Sequence, residues 1–335
     1  MSMVLSMRTR TLPSASVPDY SVVLSNRKRT SVTALVNAVT RAFTSRPLIG
    51  TFGNRALSGY ALYVSLGLAA GTFLWLSLIG TRFHCPLPPL PLVLGMAISS
   101  FIGSRILFGL EQVLARLRGE RTLSKGGHAF SGGVLGSLLC YVAYVIIARP
   151  PGTLLYADCC APAIGLGYGI GKLGCLSYGC CIGRPTPSHA VAKYDHAFSK
   201  AVSYYRMGMI LLIPVQLYEA ACAIVVCGVL TFLPEVLFGT GRVIGLLLVL
   251  LTTERVILMR FRYYLPDERA TQWVSGVASG VLICLGLLLA ANVLFQPGSF
   301  SASASTGSAS HLLAGGESLA IGTLSLFLFG LRRVR

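Results

Sequence analysis

The chain has 335 residues, 54% of them hydrophobic and 12% charged, with a mean hydropathy of +0.71. Soluble domains carry roughly 25% charged residues, so this chain cannot clothe a water-facing surface, and a soluble enzyme is excluded. The formal charge of +17 would suit a nucleic-acid binder. Most Lys and Arg, however, lie outside the apolar runs, where they flank membrane segments and meet anionic head groups; nucleic acid is not an expected partner.

In chain order, residues 1–56 are rich in Ser, Thr and Arg, contain Asp19 as their one acid, and hold no apolar run long enough for a cleavable signal. They read as a basic, unstructured arm. A membrane-crossing helix needs about 20 apolar residues, and stretches of that kind follow at 57–80, 89–110, 126–148, 157–180, 208–232, 239–259 and 271–295. An eighth, weaker stretch at 312–331 contains Gly315, Gly316 and Glu317. A bilayer interior offers no water to unpaired strands, so each stretch is expected to be a helix. The expected fold is all-α: a polytopic transmembrane bundle of seven to eight spans over 57–295, a flexible Ser/Ala/Gly linker at 296–311, and an extra C-terminal span with a basic tail at 312–335.

Basic residues alternate between connecting segments. The N-terminal arm, the Arg116/Arg118/Arg121/Lys125 segment and the 183–207 loop are rich in them, whereas the segments between carry Arg82, Arg149 or Arg242 alone. By the positive-inside rule the N-terminus and the 183–207 loop face the cytoplasm.

Ionisable groups inside apolar spans are costly and mark function by default. Here they are Arg105 in span two, Asp158 and Lys172 in span four, Glu219 in span five, and Glu254 with Arg255 in span six. Mutual pairing that locks helices together is the plainer reading, above all for Arg105 and Glu254 near span ends. Lys172 and Arg255 together fit an anionic ligand better, and in a membrane that ligand is a lipid phosphate. Glycines cluster at Gly126, Gly127, Gly132 and Gly133, and again from Gly165 to Gly174. Residues 169–174 match a dinucleotide fingerprint formally, but no strand precedes them, so a nucleotide site is not expected. Small residues at this spacing let helix backbones approach closely and open backbone amides to a head group.

Of the ten cysteines, Cys140, Cys222, Cys227 and Cys284 lie within spans and read as small hydrophobes. Cys159, Cys160, Cys175, Cys180 and Cys181 gather around span four, with His189 and His196 following. They supply enough donors for a metal, although not as standard Cys-x-x-Cys pairs. A redox pair, a thiol acting in transfer, and simple small structural residues are the other readings.

Five motifs then fall in register. They are the double-glycine span three; Gly171-Lys172-Leu-Gly174-Cys175 continuing to Gly179-Cys180-Cys181-Ile-Gly183; Pro214-Val-Gln216-Leu-Tyr218-Glu219; Arg255 to Arg262; and Gly-Ser-Arg105 in span two with Asp158 opening span four. Together they make roughly 57–295 resemble the prolipoprotein diacylglyceryl transferase family. The resemblance implies a multi-pass protein of the bacterial inner membrane that moves the diacylglyceryl group of phosphatidylglycerol onto the lipobox cysteine of an exported prolipoprotein, with no metal or organic cofactor. That chemistry needs an activated thiol and cations or amides facing the glycerol-phosphate leaving group.

Residue by residue, the family's glycines are kept at 126, 127, 132, 133, 171, 174 and 183, as are Gln216, Tyr218, Glu219, Arg255 and Arg262. The departures fall on the chemistry: the family's His is Ser131, its Arg is Lys172, its Asn is Cys175, and its two Glu are Cys180 and Met259. His128 stands one helical turn before Ser131 and is the expected substitute base. The expected catalytic set is therefore Arg255, Lys172, His128, Glu219 and Tyr218. The expected lipid and phosphate contacts are Lys172, Arg255, Arg105, Gln216, Gly171, Gly174, Gly183 and Ser131, with Cys175 and Cys180 as candidate working thiols. The resemblance also puts the 183–207 loop on the outer face, against the charge count. A lipid-binding or membrane-assembly protein without catalysis, and a thiol-redox membrane protein, remain the alternatives.

Overall fold

In hydrocarbon every backbone amide must be satisfied within its own segment, and the seven apolar stretches each form a helix. The computed structural model describes residues 31–45, 48–52, 55–119, 130–148, 152–187, 190–264, 269–291, 317–319, 321, 323 and 331–333. The stretches become α2 (Gly59–Ser77, extended by a π-helical turn Leu78–Arg82), α3 (Leu90–Leu117), α4 (Phe130–Ala148), α5 (Thr153–Tyr178), α7 (Val215–Thr231), α8 (Arg242–Met259) and α9 (Arg269–Ala290). A short α6 (Lys200–Ser203) lies in the loop between α5 and α7. Gly59–Arg82, α3 and α5 are each long and apolar enough to cross a membrane; Gly132–Ala148, α7 and Gly276–Ala290 are shorter apolar helices.

Two findings lie beyond composition. Within residues 1–56, read as an unstructured arm, Ser31–Thr44 form α1, and β1 (Leu48–Phe52) pairs with β2 (Arg55–Ser58). β2 also pairs antiparallel with β3 (Leu331–Arg333), making a three-stranded sheet in the order β1-β2-β3. α1 docks by side chains that reach a distant loop: Thr40 Oγ1 donates to the Val191 carbonyl at 2.8 Å, and the Val191 N–H donates to Asn37 Oδ1 at 2.9 Å. Residues 1–30 and most of 312–330 lie outside the described residues.

α5 is the hub, packed against α1, α2, α7 and α8. Its glycines let neighbouring backbones approach, as their spacing suggests. A side chain at Gly67 of α2 would meet the Gly167 carbonyl at 2.6 Å, and one at Gly165 would meet the Ala223 carbonyl of α7 at 3.2 Å. α3 and α4 pair separately, and α9 joins them to α8. Ile98, Ile102, Ile106, Leu110, Val113 and Leu117 form an exposed stripe along α3. An apolar face of that extent is unstable against water and suits lipid.

Polar anchors fix the ends. Asp158 of α5, fully buried, accepts the N–H groups of Thr240 (3.1 Å), Gly241 (2.8 Å) and Ile244 (2.9 Å), and so caps α8 from another helix. Arg82 donates to the carbonyls of Thr231 and Leu233 at the end of α7, stands 3.5 Å from Glu235, and faces the rings of Phe83 and Phe238. These contacts bind the end of α2 to the end of α7.

Candidate functional site

α5 ends at Gly179, whose positive φ of 72° turns the chain back on the last helical turn. The amides of Gly179 and Cys180 both bond to the Cys175 carbonyl, at 2.9 and 3.2 Å. The loop then crosses the end of α8 as short strand-like bridges: Tyr263 N–H to Ile182 O at 2.8 Å, Arg184 N–H to Phe261 O at 2.9 Å, and Ile213 N–H to Arg184 O at 3.1 Å. Gly183 lets Ile213 lie against this crossing, because a side chain there would stand 2.8 Å from Ile213 Cβ.

This knot brings three charged side chains together. Lys172 of α5 lies 2.7 Å from Glu219 Oε2 of α7, and Arg262, just past α8, bonds to the other Glu219 oxygen. Glu219 is fully buried, and Lys172 and Arg262 are each 5% exposed. Lys172 also sits over the Tyr168 ring, 4.9 Å from its centre. Two cations share one carboxylate, so the cluster keeps one net positive charge in a low-dielectric setting, where it attracts an anion strongly. Beside it, Arg184, Pro185, Arg262, Tyr263 and Tyr264 line a cavity of about 430 Å³.

Gln216, one turn before Glu219, ties the cluster to the loop. Its Nε2 donates to the Cys180 carbonyl at 2.8 Å and stands 3.5 Å from the Tyr194 hydroxyl, which itself donates to Leu176 O at 2.9 Å. The Oε1 of Gln216 finds no donor among the described residues. Tyr218 is half-buried on the adjacent face of α7.

Arg255 is half-buried on α8, in electrostatic range of Glu111 of α3 and of Glu254, whose two oxygens find no donor among the described residues. Lys172 and Arg255 thus do not form one bare pair: Lys172 is neutralised by Glu219, and Arg262 is the second cation at that carboxylate. Arg262 is one of the residues kept from the family, and its sequence context carries no expected role for it. The signal available was its place seven residues after Arg255, at the helix end.

The remaining expectations divide. Arg105 is exposed on α3, over the Phe101 ring, on a helix packed chiefly against α4. Gly174 makes room for α2: a side chain there would stand 3.0 Å from the Tyr60 carbonyl. A side chain at Gly171, by contrast, would meet none of the described residues within 4 Å. His128, Gly126, Gly127 and His189 lie outside the described residues, as does the side chain of Ser131.

Cys175, Cys180 and Cys181 converge, their sulfurs all within 4.8 Å of one another, and all three are partly exposed. Cys181 holds φ at +56°, a left-handed conformation uncommon outside glycine. Its thiol is held well below the ordinary range, first by hydrogen bonds from Cys175 and Cys180 and then by the nearby charges of Arg262 and Lys172, against the opposing effect of burial.

Fold and site together define a helical membrane protein with a buried cationic centre. The prolipoprotein diacylglyceryl transferase family profile matches residues 47–296, and the chain belongs to that family. Among curated relatives, the phosphatidylglycerol–prolipoprotein diacylglyceryl transferase of Clostridium botulinum (strain 657 / Type Ba4) is 26% identical over 245 residues, covering 68% of this chain and 92% of its own. The Geobacter sulfurreducens enzyme of the same name is 34% identical over 95 residues, 28% of this chain and 36% of its own. A second transferase of Clostridium perfringens is 24% identical over 146 residues, 43% of this chain and 57% of its own.

Proposed function

We propose that this chain transfers the diacylglyceryl group of phosphatidylglycerol to the lipobox cysteine of an exported prolipoprotein, in the bacterial inner membrane. The observation that carries this reading is the buried centre in which Lys172 and Arg262 share Glu219, set at the junction of α5, α7 and the end of α8. The acceptor thiolate attacks the glyceryl carbon, a carbon–sulfur bond forms, and the carbon–oxygen bond to the phosphate breaks. Glycerol phosphate leaves with the bonding electrons. Its growing negative charge is what a preorganised cationic centre stabilises, with no solvent reorganisation at the moment of reaction. Arg255 serves as a further cation toward the phosphate, and Gln216 and Tyr218 shape the wall.

The test is complementation. A bacterium depleted of its own transferase and given this chain should recover lipidated lipoproteins. Absence of lipidation despite good membrane expression would sink the enzyme reading.

A further inference from the structure

We propose that Cys175, Cys180 and Cys181 hold a zinc ion, and that its fourth coordination position receives the acceptor thiol. This rests on the transferase reading and names a way in which its acceptor thiol is activated. The family's base position is Ser131 here, and no described histidine joins the three cysteines.

The geometry fits. Zinc binds thiolate sulfur at about 2.3 Å in a tetrahedron, which sets sulfur–sulfur separations of roughly 3.8 Å, inside the 4.8 Å that encloses the three sulfurs. Among the described residues no fourth His, Cys, Asp or Glu joins the group. Three protein ligands with an open position is the arrangement of a reacting zinc, whereas a structural zinc is closed by four. The left-handed backbone at Gly179 and Cys181 is what folds two of the donors back beside the third. The three residues are each only partly buried, and the loop after α5 that carries Cys180 and Cys181 is the side from which an acceptor would come.

Charge selects the ion. Three thiolates and a divalent cation leave one net negative charge, and the neighbouring Lys172–Glu219–Arg262 centre carries one net positive. Lys172 lies one helical turn from Cys175, and both cations are in electrostatic range of Cys181. The two clusters therefore cancel in the low-dielectric interior. Copper(I), the other soft candidate, would leave the pair one charge short of balance.

The chemistry closes as well. A thiol that enters a metal's coordination sphere is deprotonated outright, and metal coordination activates a nucleophile in place of an adjacent base. The lipobox S–H gives its proton to solvent on binding. The zinc-held thiolate forms the carbon–sulfur bond, glycerol phosphate departs with the carbon–oxygen electrons, and the thioether leaves the metal, which regains its open position. No oxidant or reductant is consumed.

The full chain, purified in detergent, is loaded with zinc and separately with cobalt(II). We expect one zinc per chain. Cys175→Ser and Cys181→Ser should each weaken retention by more than the roughly 100-fold that losing a group behind a metal ligand costs. Cys222→Ser, an exposed cysteine outside the trio, should retain it. In the cobalt form, a peptide bearing the lipobox cysteine should intensify the sulfur-to-metal absorption, a readout that needs no variant to fold. No bound zinc, equal retention by the trio variants, a disulfide within the trio, or a cobalt spectrum indifferent to the peptide would each overturn the proposal. Lipid transfer that survives complete metal removal overturns it and leaves the transferase reading standing. A cobalt site that takes the peptide while no lipid is ever transferred upholds the metal site and ends the transferase reading.

Discussion

Glu219 has two partners and each of its partners has one carboxylate, which makes the three side chains unequal under substitution. Replacing Glu219 by Gln strands two buried cations at once. Breaking a buried pair costs about 3–5 kcal/mol, so Glu219→Gln should collapse the yield of folded protein, seen as lost thermal stability in detergent. Lys172→Met leaves Glu219 paired with Arg262, so the fold should survive. Its expected loss is in transfer, about 10²–10³-fold, the usual cost of removing one charge-stabilising donor, read as lipidation of a reporter prolipoprotein. Lys172→Arg keeps the charge and adds a fork that can address a carboxylate and a phosphate together, and should retain activity. The sequence displayed Lys172, Glu219 and Gln216 openly, because polar groups inside apolar stretches stand out. It hid Arg262, which sits past a helix end among other basic residues, and only the chain crossing at Gly183 brings it inward. The cysteines were visible as a cluster around span four, but the turn that gathers three of their sulfurs depends on backbone conformation that spacing does not reveal.

Helices were legible because each coincides with an apolar run, three of them long enough to cross a membrane, and their bounds follow from where those runs begin and end. Their joints were not. Asp158 looked like a stray acid at the start of a span; in the fold it caps a different helix, through amides more than 80 residues away. Asp158→Asn should cost about 1–2 kcal/mol, the typical range for a lost cap, measured as a lower unfolding temperature, because an amide offers the three N–H groups a weaker acceptor. The glycine contact between α2 and α5 is less forgiving. Gly67→Val would drive a branched side chain into the Gly167 carbonyl, already 2.6 Å from a single added carbon, and should abolish folded expression where Gly171→Ala, with no described residue within 4 Å of the added carbon, leaves it intact. α1 and the small sheet escaped sequence reading for a related reason: their partners, Val191 and residues 331–333, are remote in the chain, and no local pattern announces them.

The molecule as a whole carries an unresolved quarrel between charge counting, which puts the 183–207 loop inside, and the chemistry of an exported acceptor, which needs it outside. We expect the second to win, because Arg184 of that loop lines the cavity beside the cationic centre, where the proposed transfer would use its charge. Lys193→Cys, on an exposed loop position, should react with a membrane-impermeant maleimide added to intact cells, above the labelling of the unmodified chain; labelling only after lysis would place the loop inside. The sheet adds a constraint that neither argument contains. β2 directly precedes α2, and β3 lies at the far end of the chain, yet the two are hydrogen-bonded neighbours. Strands of one sheet occupy one face of a bilayer, so the chain between Ser58 and Leu331 must traverse the membrane an even number of times. If α2 to α5 and α7 to α9 each cross once, seven crossings break that parity, so the sheet and the number of spans constrain each other.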